Sequence, residues 1–412
     1  MNSSSHALPR FAKLEAALRK ITETLAGELV APTNEPPLWS EFEWRIARAV
    51  AGMHGISKLL HARLLWKGPK GWQTFLREQK EQSVARHEKI MRLLQTIDSQ
   101  ARHENTSIVA LKGAALHTKG LYASGERPMG DIDLLVRADE VVSAARVLEA
   151  CGYEAAFTSR RHQVFRPLDE KIPIGDMLGE HVASPIKIEL HTRIAESLPV
   201  TQVDITEFVL SRTMHAGLNP YPSVGSLMIH LLLHAAGNMR ARALRLIQLH
   251  DISLLAARFG SDDWAELLAT FSKDRSLWWA YAPAILTAQY YPGVIPLEVI
   301  ERLRLGCPLR LRRFVRHQRL TAVSWSNIRI EAFPGLEWSR SAPEAFEFVR
   351  KRIWPSREAR LELKDGAAQI PNSPSIPWYG LTHGTRILRW VVSRPPRVQT
   401  LLSIRAALAQ EV

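Results

Sequence analysis

The spacing of apolar and polar positions splits the chain into a short strand-bearing stretch with long helical stretches on either side. Phe11, Leu14, Leu18 and Ile21 recur at helical spacing, and so do Phe42, Ile46, Val50 and Met53. The proline-containing stretch from Ala31 to Pro37 and the one from Gly68 to Gly71 are breaks. Residues 80–104 predict a long charged helix with Ile90, Leu93, Leu94 and Ile97 as its buried stripe. The period then changes. Ile108 to Leu111 is a short β-forming run ended by Lys112-Gly113, and Ala114 to Leu121 returns to a helix. Gly130 to Val136, reading Gly-Asp-Ile-Asp-Leu-Leu-Val, predicts a second strand. Asp139 to Cys151 predicts an amphipathic helix with Val141, Val142, Ala145 and Leu148 on one side, closed by Gly152 as its cap. Tyr153 to Phe157 and Gln163 to Arg166 are further strands, and Asp169 to Pro185 is an extended loop. Ile186 to Ile194 alternates most cleanly of all.

From Asp204 onward the pattern predicts helices only: Ser226 to Asn238, Arg242 to Phe259, Trp264 to Phe271 and Leu277 to Tyr290, then a break at Pro292 to Pro296. Residues 365–378 read as a linker, and a last helix pair covers 380–410. No internal repeat stands out. The fold class expected is α+β: a small mixed β-sheet core over 105–203, an N-terminal helical region over 1–104, a helical domain over 204–364 and a C-terminal helical tail over 365–412.

The second strand carries the chemistry. Asp131 and Asp133 share one face of it, roughly 7 Å apart along the strand, while Ile132 and Leu134 face the other way. Two carboxylates side by side repel unless a cation sits between them. Hard oxygen ligands suit Mg2+ or Mn2+. The competing reading is a turn in which both Asp side chains cap backbone N–H groups; the β-rich Ile-Asp-Leu-Leu-Val weakens it. Along Ile186 to Ile194, Glu189, His191 and Arg193 share a face. Pairing of these two strands brings Glu189 to the Asp pair and makes a site for one or two metal ions. The order strand, glycine, helix around Gly113 points backbone N–H groups at a helix start, where phosphate binds.

Charge adds a permissive observation. The 412 residues carry a formal charge of +13, mostly from arginine, which favours polyanionic partners. Arg302, Arg304, Arg310, Arg312, Arg313, Arg316 and Arg319 form a basic cluster suited to polyanion binding, but without the aromatic interleaving of a stacking platform; a solvated or acidic-lipid-facing helix is the other reading. No apolar run is long enough to span a bilayer: Leu227 to Gly237 is too short and holds His230 and His234. Met1 to Arg10 lacks an apolar signal core, and Cys151 and Cys307 stand far apart, so a cytoplasmic protein with free thiols is expected. His230 and His234 have the i, i+4 spacing of zinc ligands, but Leu231 follows His230 where a zinc protease has glutamate, so helix packing is expected for them. Trp278, Trp279, Tyr290 and Tyr291 are expected in the core.

Leu111-Lys112-Gly113, Arg127, Asp131-Ile-Asp133-Leu-Leu-Val, Gly152-Tyr153 and Ile188-Glu189-Leu190-His191 together resemble the uncharacterised bacterial nucleotidyltransferases of the polymerase-beta superfold, best over residues 80–260. Arg350 to Pro355 in the tail is similar too. The resemblance implies transfer of a nucleoside monophosphate from a nucleoside triphosphate (NTP) to an unidentified acceptor, a small molecule, sugar or protein. It implies Asp131, Asp133 and Glu189 as metal-holding catalytic residues, with Gly113 letting the triphosphate approach the backbone. Lys112 and Arg127 are candidates to neutralise phosphate; solvated side chains are the alternative for both. His191 is a candidate to bond the third carboxylate, touch the acceptor or ligate metal, against an ordinary strand histidine. His162 is a weaker candidate. Asp251 resembles an acidic position of the family's helical domain, facing the cleft or buried against Arg245 or another arginine. Two departures stand out: Ala114 follows Gly113 where the superfamily has serine or glycine, and the 169–185 loop separates the Asp pair from Glu189. A degenerate scaffold that binds nucleic acid or a partner without turnover is the alternative function.

Overall fold

The computed structural model describes residues 8–158, 162–169, 178–269, 276–356 and 383–409. The chain opens with helices α1 (Phe11–Val30), α2 (Glu41–His54), α3 (Ser57–Arg63) and α4 (Lys70–His103). Ser40 and Glu43 start α2 with a capping box, and Gly55, at φ 67°, ends it. α4 begins ten residues earlier than the charged stretch alone predicts, because Trp72, Phe75, Leu76 and Gln79 continue its buried stripe.

The sheet follows: β1 (Ser107–Ala110), α5 (Lys112–Thr118), β2 (Asp131–Leu135), α6 (Val141–Ala150), β3 (Tyr153–Thr158), β4 (His162–Pro167) and β5 (Lys187–His191). A hairpin of β6 (Ala195–Ser197) and β7 (Gln202–Asp204), the short α7 (Thr206–Val209) and β8 (Gly217–Asn219) lead into α8 (Val224–Ala241) and α9 (Leu246–Ala256). The strand order is β3-β4-β5-β2-β1-β8. β2 runs parallel to β5, β1 parallel to β8, and the other neighbours are antiparallel. The fold is α+β, with a mixed sheet between helical regions.

β8 corrects the helix-only reading after Asp204. Gly217-Leu218-Asn219 is too short to show alternation, and it joins the sheet through backbone pairing with Ser107 to Val109. The strand with Glu189 ends at His191 rather than Ile194, so Arg193 lies past it and pairs with Asp204 at 2.6 Å. α6 is also rotated from its expected phase: Ala144, Val147 and Leu148 are buried while Val142 is exposed. Arg242, in the left-handed conformation at φ 57°, caps the end of α8, so α9 runs from Leu246 to Ala256 where a helix from Arg242 to Phe259 is expected.

Period-two alternation decides the sheet's two faces. Ile108, Ala110, Ile132, Leu134, Ile188 and Leu190 pack with Ile90, Leu94 and Ile97 of α4 and Val147 and Leu148 of α6. Val109 and Leu135 face the opposite way, into a larger core that includes α1, α2, α8 and α9 and also buries Trp278 and Trp279. The polar positions of β2 and β5 therefore open toward the helical side. Helices beyond α9 include Ser261–Ala269, Tyr281–Tyr290, Leu297–Gly306, Leu309–Val315 and Ala342–Ile353. His383–Ser393 and Val398–Ala409 form the final pair, and Val398–Ala409 lies against α2. Phe271, residues 170–177 of the expected loop and the 365–378 linker lie outside the described residues. Among the described residues no helix is long and apolar enough to cross a membrane.

Candidate functional site

The parallel register of β2 and β5 sets Asp133 directly opposite Glu189 and Leu135 opposite His191. Asp131 pairs in register with Lys187. With Ile132, Leu134, Ile188 and Leu190 committed to the core on the other face, Asp131, Asp133, Lys187, Glu189 and His191 share one face. Asp131 is exposed at the strand's entrance, and Asp133 is buried.

Asp133 is the hub. Lys112 Nζ donates to its Oδ1 at 2.8 Å, and His191 Nε2 lies 3.1 Å from the same oxygen. His191 Nε2 is also 3.5 Å from Glu189 Oε2. Burial alone would raise the Asp133 pKa, but the Lys112 ammonium and the His191 imidazole outweigh it and hold the carboxyl well below its usual range. Glu189 is also lowered: burial opposes ionisation, and the bond to His191 overcomes it. His191 is raised; burial works against its cation, and Asp133 and Glu189 stabilise it. Asp131 behaves differently. Although the residue reaches solvent, protein packed around its carboxyl, then the neighbouring Asp133 and Glu189 charges, push it up to about 6. Asp131, Asp133 and Glu189 share one face, and oxygen donors of this kind suit Mg2+ or Mn2+, but among the described residues the donors that lie within 4.8 Å of one another are those of His162, Glu189 and His191.

Lys112 is not a surface lysine. It is largely enclosed, with 18% of its side chain exposed, and burial's pull on its pKa is overcome by Asp133, Asp131 and Glu189, which raise it. Its φ of 45° turns the chain from β1 into α5. The left-handed residue of the strand-to-helix turn is thus Lys112 rather than Gly113. The Lys112 N–H donates to Tyr221 Oη at 3.2 Å. Gly113 is needed for space: a Cβ there would collide with the Arg127 guanidinium and come within 2.9 Å of the Met129 side chain. Arg127 itself is engaged bidentately with Asp251, Nε to Oδ1 and Nη2 to Oδ2, both at 2.8 Å, and Tyr122 Oη donates to the same carboxylate at 2.7 Å. So Asp251 is the buried helix carboxylate, and its arginine is Arg127.

Two contributors, Arg86 and Lys187, escape a reading of the sequence, and the weaker candidate His162 joins the site. Arg86, buried on α4, donates to the carbonyls of Met129 and Gly130 just before β2 and to those of Ser184 and Pro185 just before β5. It also pairs with Glu180 at 3.1 Å. One guanidinium thereby aligns the entrances of both acidic strands. Lys187 lies opposite Asp131; the alternation that singles out Glu189 also marks Lys187, and its closeness to Asp131 follows only from the register. His162 on β4 pairs in register with His191, and its Nε2 lies 3.8 Å from Glu189 Oε2.

His230 and His234 lie apart from this in bonding. His230 Nδ1 is 2.7 Å from Tyr221 Oη, and His234 Nε2 is 3.1 Å from the Asn238 amide nitrogen. Burial pushes His230 down to about 3 and His234 well below its usual value. Both line a 200 Å³ cavity between α8 and the end of β5 that also borders Lys112, Glu189 and His191. In the basic cluster, Arg304 pairs with Glu301 and Arg312 Nε donates to the Cys307 carbonyl.

A family described as uncharacterised nucleotidyltransferase matches residues 40–292, from α2 through the sheet to the helices after α9. No curated protein and no solved structure matches the chain.

Proposed function

Because the chain belongs to the uncharacterised nucleotidyltransferase family, we infer that it moves a nucleoside monophosphate from an NTP to a hydroxyl or phosphate acceptor with the help of Mg2+ or Mn2+. The observation that carries this reading is the in-register pairing of Asp133 with Glu189, which joins the third carboxylate to the Asp pair on one face. Asp131 and Asp133 would hold the ion that accompanies the triphosphate, and Glu189 would complete the cluster. A divalent ion there supplies charge that stabilises the attacking and leaving oxygens.

The chain's own residues do the rest. Glu189, kept ionised by His191, takes the proton of the acceptor hydroxyl as its oxygen attacks the α-phosphorus. The bond to the bridging oxygen breaks, and pyrophosphate leaves. Lys112 and Lys187 offer positive charge to the phosphates from either side of the Asp strand. Arg127, held by Asp251, shapes the base of the site instead of gripping phosphate. Tyr221 fixes the Lys112 backbone.

The test incubates the full chain with Mg2+ and each common NTP, reads pyrophosphate release, and weighs the protein itself for self-labelling. Turnover is expected, and Asp133→Asn should lower it by on the order of 10²–10³-fold, the cost of losing one preorganised charge-stabilising group. Absence of triphosphate binding in the wild type, with Asp133→Asn behaving identically, overturns the reading. One observation favours the rival, non-catalytic reading: the Lys112 ammonium already satisfies Asp133. That reading expects salt-sensitive polyanion binding that survives Asp131→Ala and Asp133→Ala.

A further inference from the structure

We propose that His162, Glu189 and His191 form a second site, sharing Glu189, for a divalent transition-metal ion, one that selects Co2+ or Zn2+ over Mg2+. Both imidazoles aim Nε2 at a single oxygen, Glu189 Oε2, His162 from 3.8 Å and His191 from 3.5 Å. One ligand atom from each residue falls within 4.8 Å of the other two. Neighbouring donors around an ion bound at about 2.1 Å lie about 3.0–3.5 Å apart, so shifts of a few tenths of an ångström to about 1 Å would close the three on an ion.

The backbone fixes this arrangement. β4 and β5 are antiparallel neighbours with His162 opposite His191 and Val164 opposite Glu189, so all three donors come from one face of two bonded strands. The rings stand 5.0 Å apart, centre to centre. Ligands carried on paired strands need little reorganisation to bind. Asp133 Oδ1, 3.1 Å from the same His191 Nε2 that would hold the ion, gives up its bond to that nitrogen when the ion displaces the proton, and lies close enough to serve as a further oxygen ligand. The adjoining 200 Å³ cavity leaves room for water or a substrate oxygen in an open position.

Donor chemistry decides the ion. Two imidazole nitrogens and one carboxylate favour later first-row metals, whereas Mg2+ prefers oxygen and keeps its waters. The Asp131 side of the cluster, with oxygens alone, has the opposite preference. The two halves of the acidic face therefore differ in the metal they take, with Glu189 shared between them. This assignment concerns binding and stands whether or not nucleotidyl transfer is the activity.

The experiment is Co2+ binding to the full-length protein without nucleotide, by equilibrium dialysis and by visible absorption of the bound ion, with Zn2+ and Mg2+ as competitors. One Co2+ per chain is expected, displaced by Zn2+ and not by comparable Mg2+. His162→Ala and Glu189→Gln should each weaken it by roughly 100-fold or more, above the 10- to 100-fold cost of losing an outer-shell partner, while Asp131→Asn keeps it. X-ray absorption of the Co2+-loaded wild type should resolve two imidazole nitrogens. An oxygen-only shell, displacement by equal Mg2+, or undiminished binding in a folded His162→Ala overturns the proposal. If His162→Ala does not fold, the wild-type absorption result decides alone. Failure of pyrophosphate release with intact Co2+ binding would sink the transfer reading and leave this site standing.

Discussion

Lys112 occupies the centre of the acidic face, and its charge and a metal ion's charge serve the same carboxylates. Removing the ammonium leaves Asp133 with His191 alone. Lys112→Met should therefore cost about 3 kcal/mol without metal, the low end for breaking a buried pair because one partner remains. A divalent ion then has no competing cation, so Mg2+ should raise the melting temperature of the variant more than that of the wild type. Thermal melting of both proteins with and without Mg2+ checks this. An equal shift in the two would mean that Lys112 and the ion do not share a site. The same residue shows where sequence reading runs out: a long flexible side chain next to a turn reads as solvated, and only its buried geometry identifies its partner. Arg127 is similar, since its partner Asp251 is 124 positions away.

At the level of elements, what was legible is what alternation carries. Ile132 and Leu134 against Asp131 and Asp133, and Ile188 and Leu190 against Glu189 and His191, encode strand, face and core together, and their pairing follows once the two strands are neighbours. β8 carries no such pattern in three residues. The early start of α4 is masked by its charged exterior, and Arg86 looks like one more arginine on it. Yet Arg86 ties the carbonyls preceding β2 to those preceding β5, so it sets the register on which Asp133 and Glu189 meet. Arg86→Met would leave those carbonyls and Glu180 without their donor. A loss of about 3 kcal/mol or more is expected, as for a removed partner of a buried, hydrogen-bonded charge. Pyrophosphate release should fall with it, and Arg86→Lys should not restore either, because one ammonium cannot span both strand entrances. Melting temperature and turnover read this together; a stable Arg86→Met with full turnover would show that the strands align without it.

Across the whole molecule, acid stability is set by imidazoles buried as neutral groups. His54 accepts the Leu246 N–H at Nδ1 and meets Ser326 Oγ at Nε2, joining α2 to α9 and to the segment after residue 320. His250 sits between Tyr291 Oη and the Arg63 guanidinium. His230 Nδ1 pairs with the Tyr221 hydroxyl, whose oxygen also accepts from the Lys112 N–H. Burial first, and nearby cations second, push all three down to about 3. A base whose pKa is lowered on folding is protonated more readily when unfolded. Its stabilisation is complete above the ordinary histidine value of 6.5 and is lost as pH falls from there toward 3. By pH 5 each of the three should have given up about 2 kcal/mol, or about 6 kcal/mol together, comparable to the whole stability of many domains. His191 and Asp131 act in the opposite sense, since their folded pKa values are raised and protonation favours the native state, but they stand against these three imidazoles and His234, which burial also lowers. The melting temperature should therefore begin to fall near pH 6.5, above the range where lowered carboxylates such as Glu189 titrate. A melting temperature that stays level from pH 7 to 5 would show that these three imidazoles take up protons without cost in the folded protein.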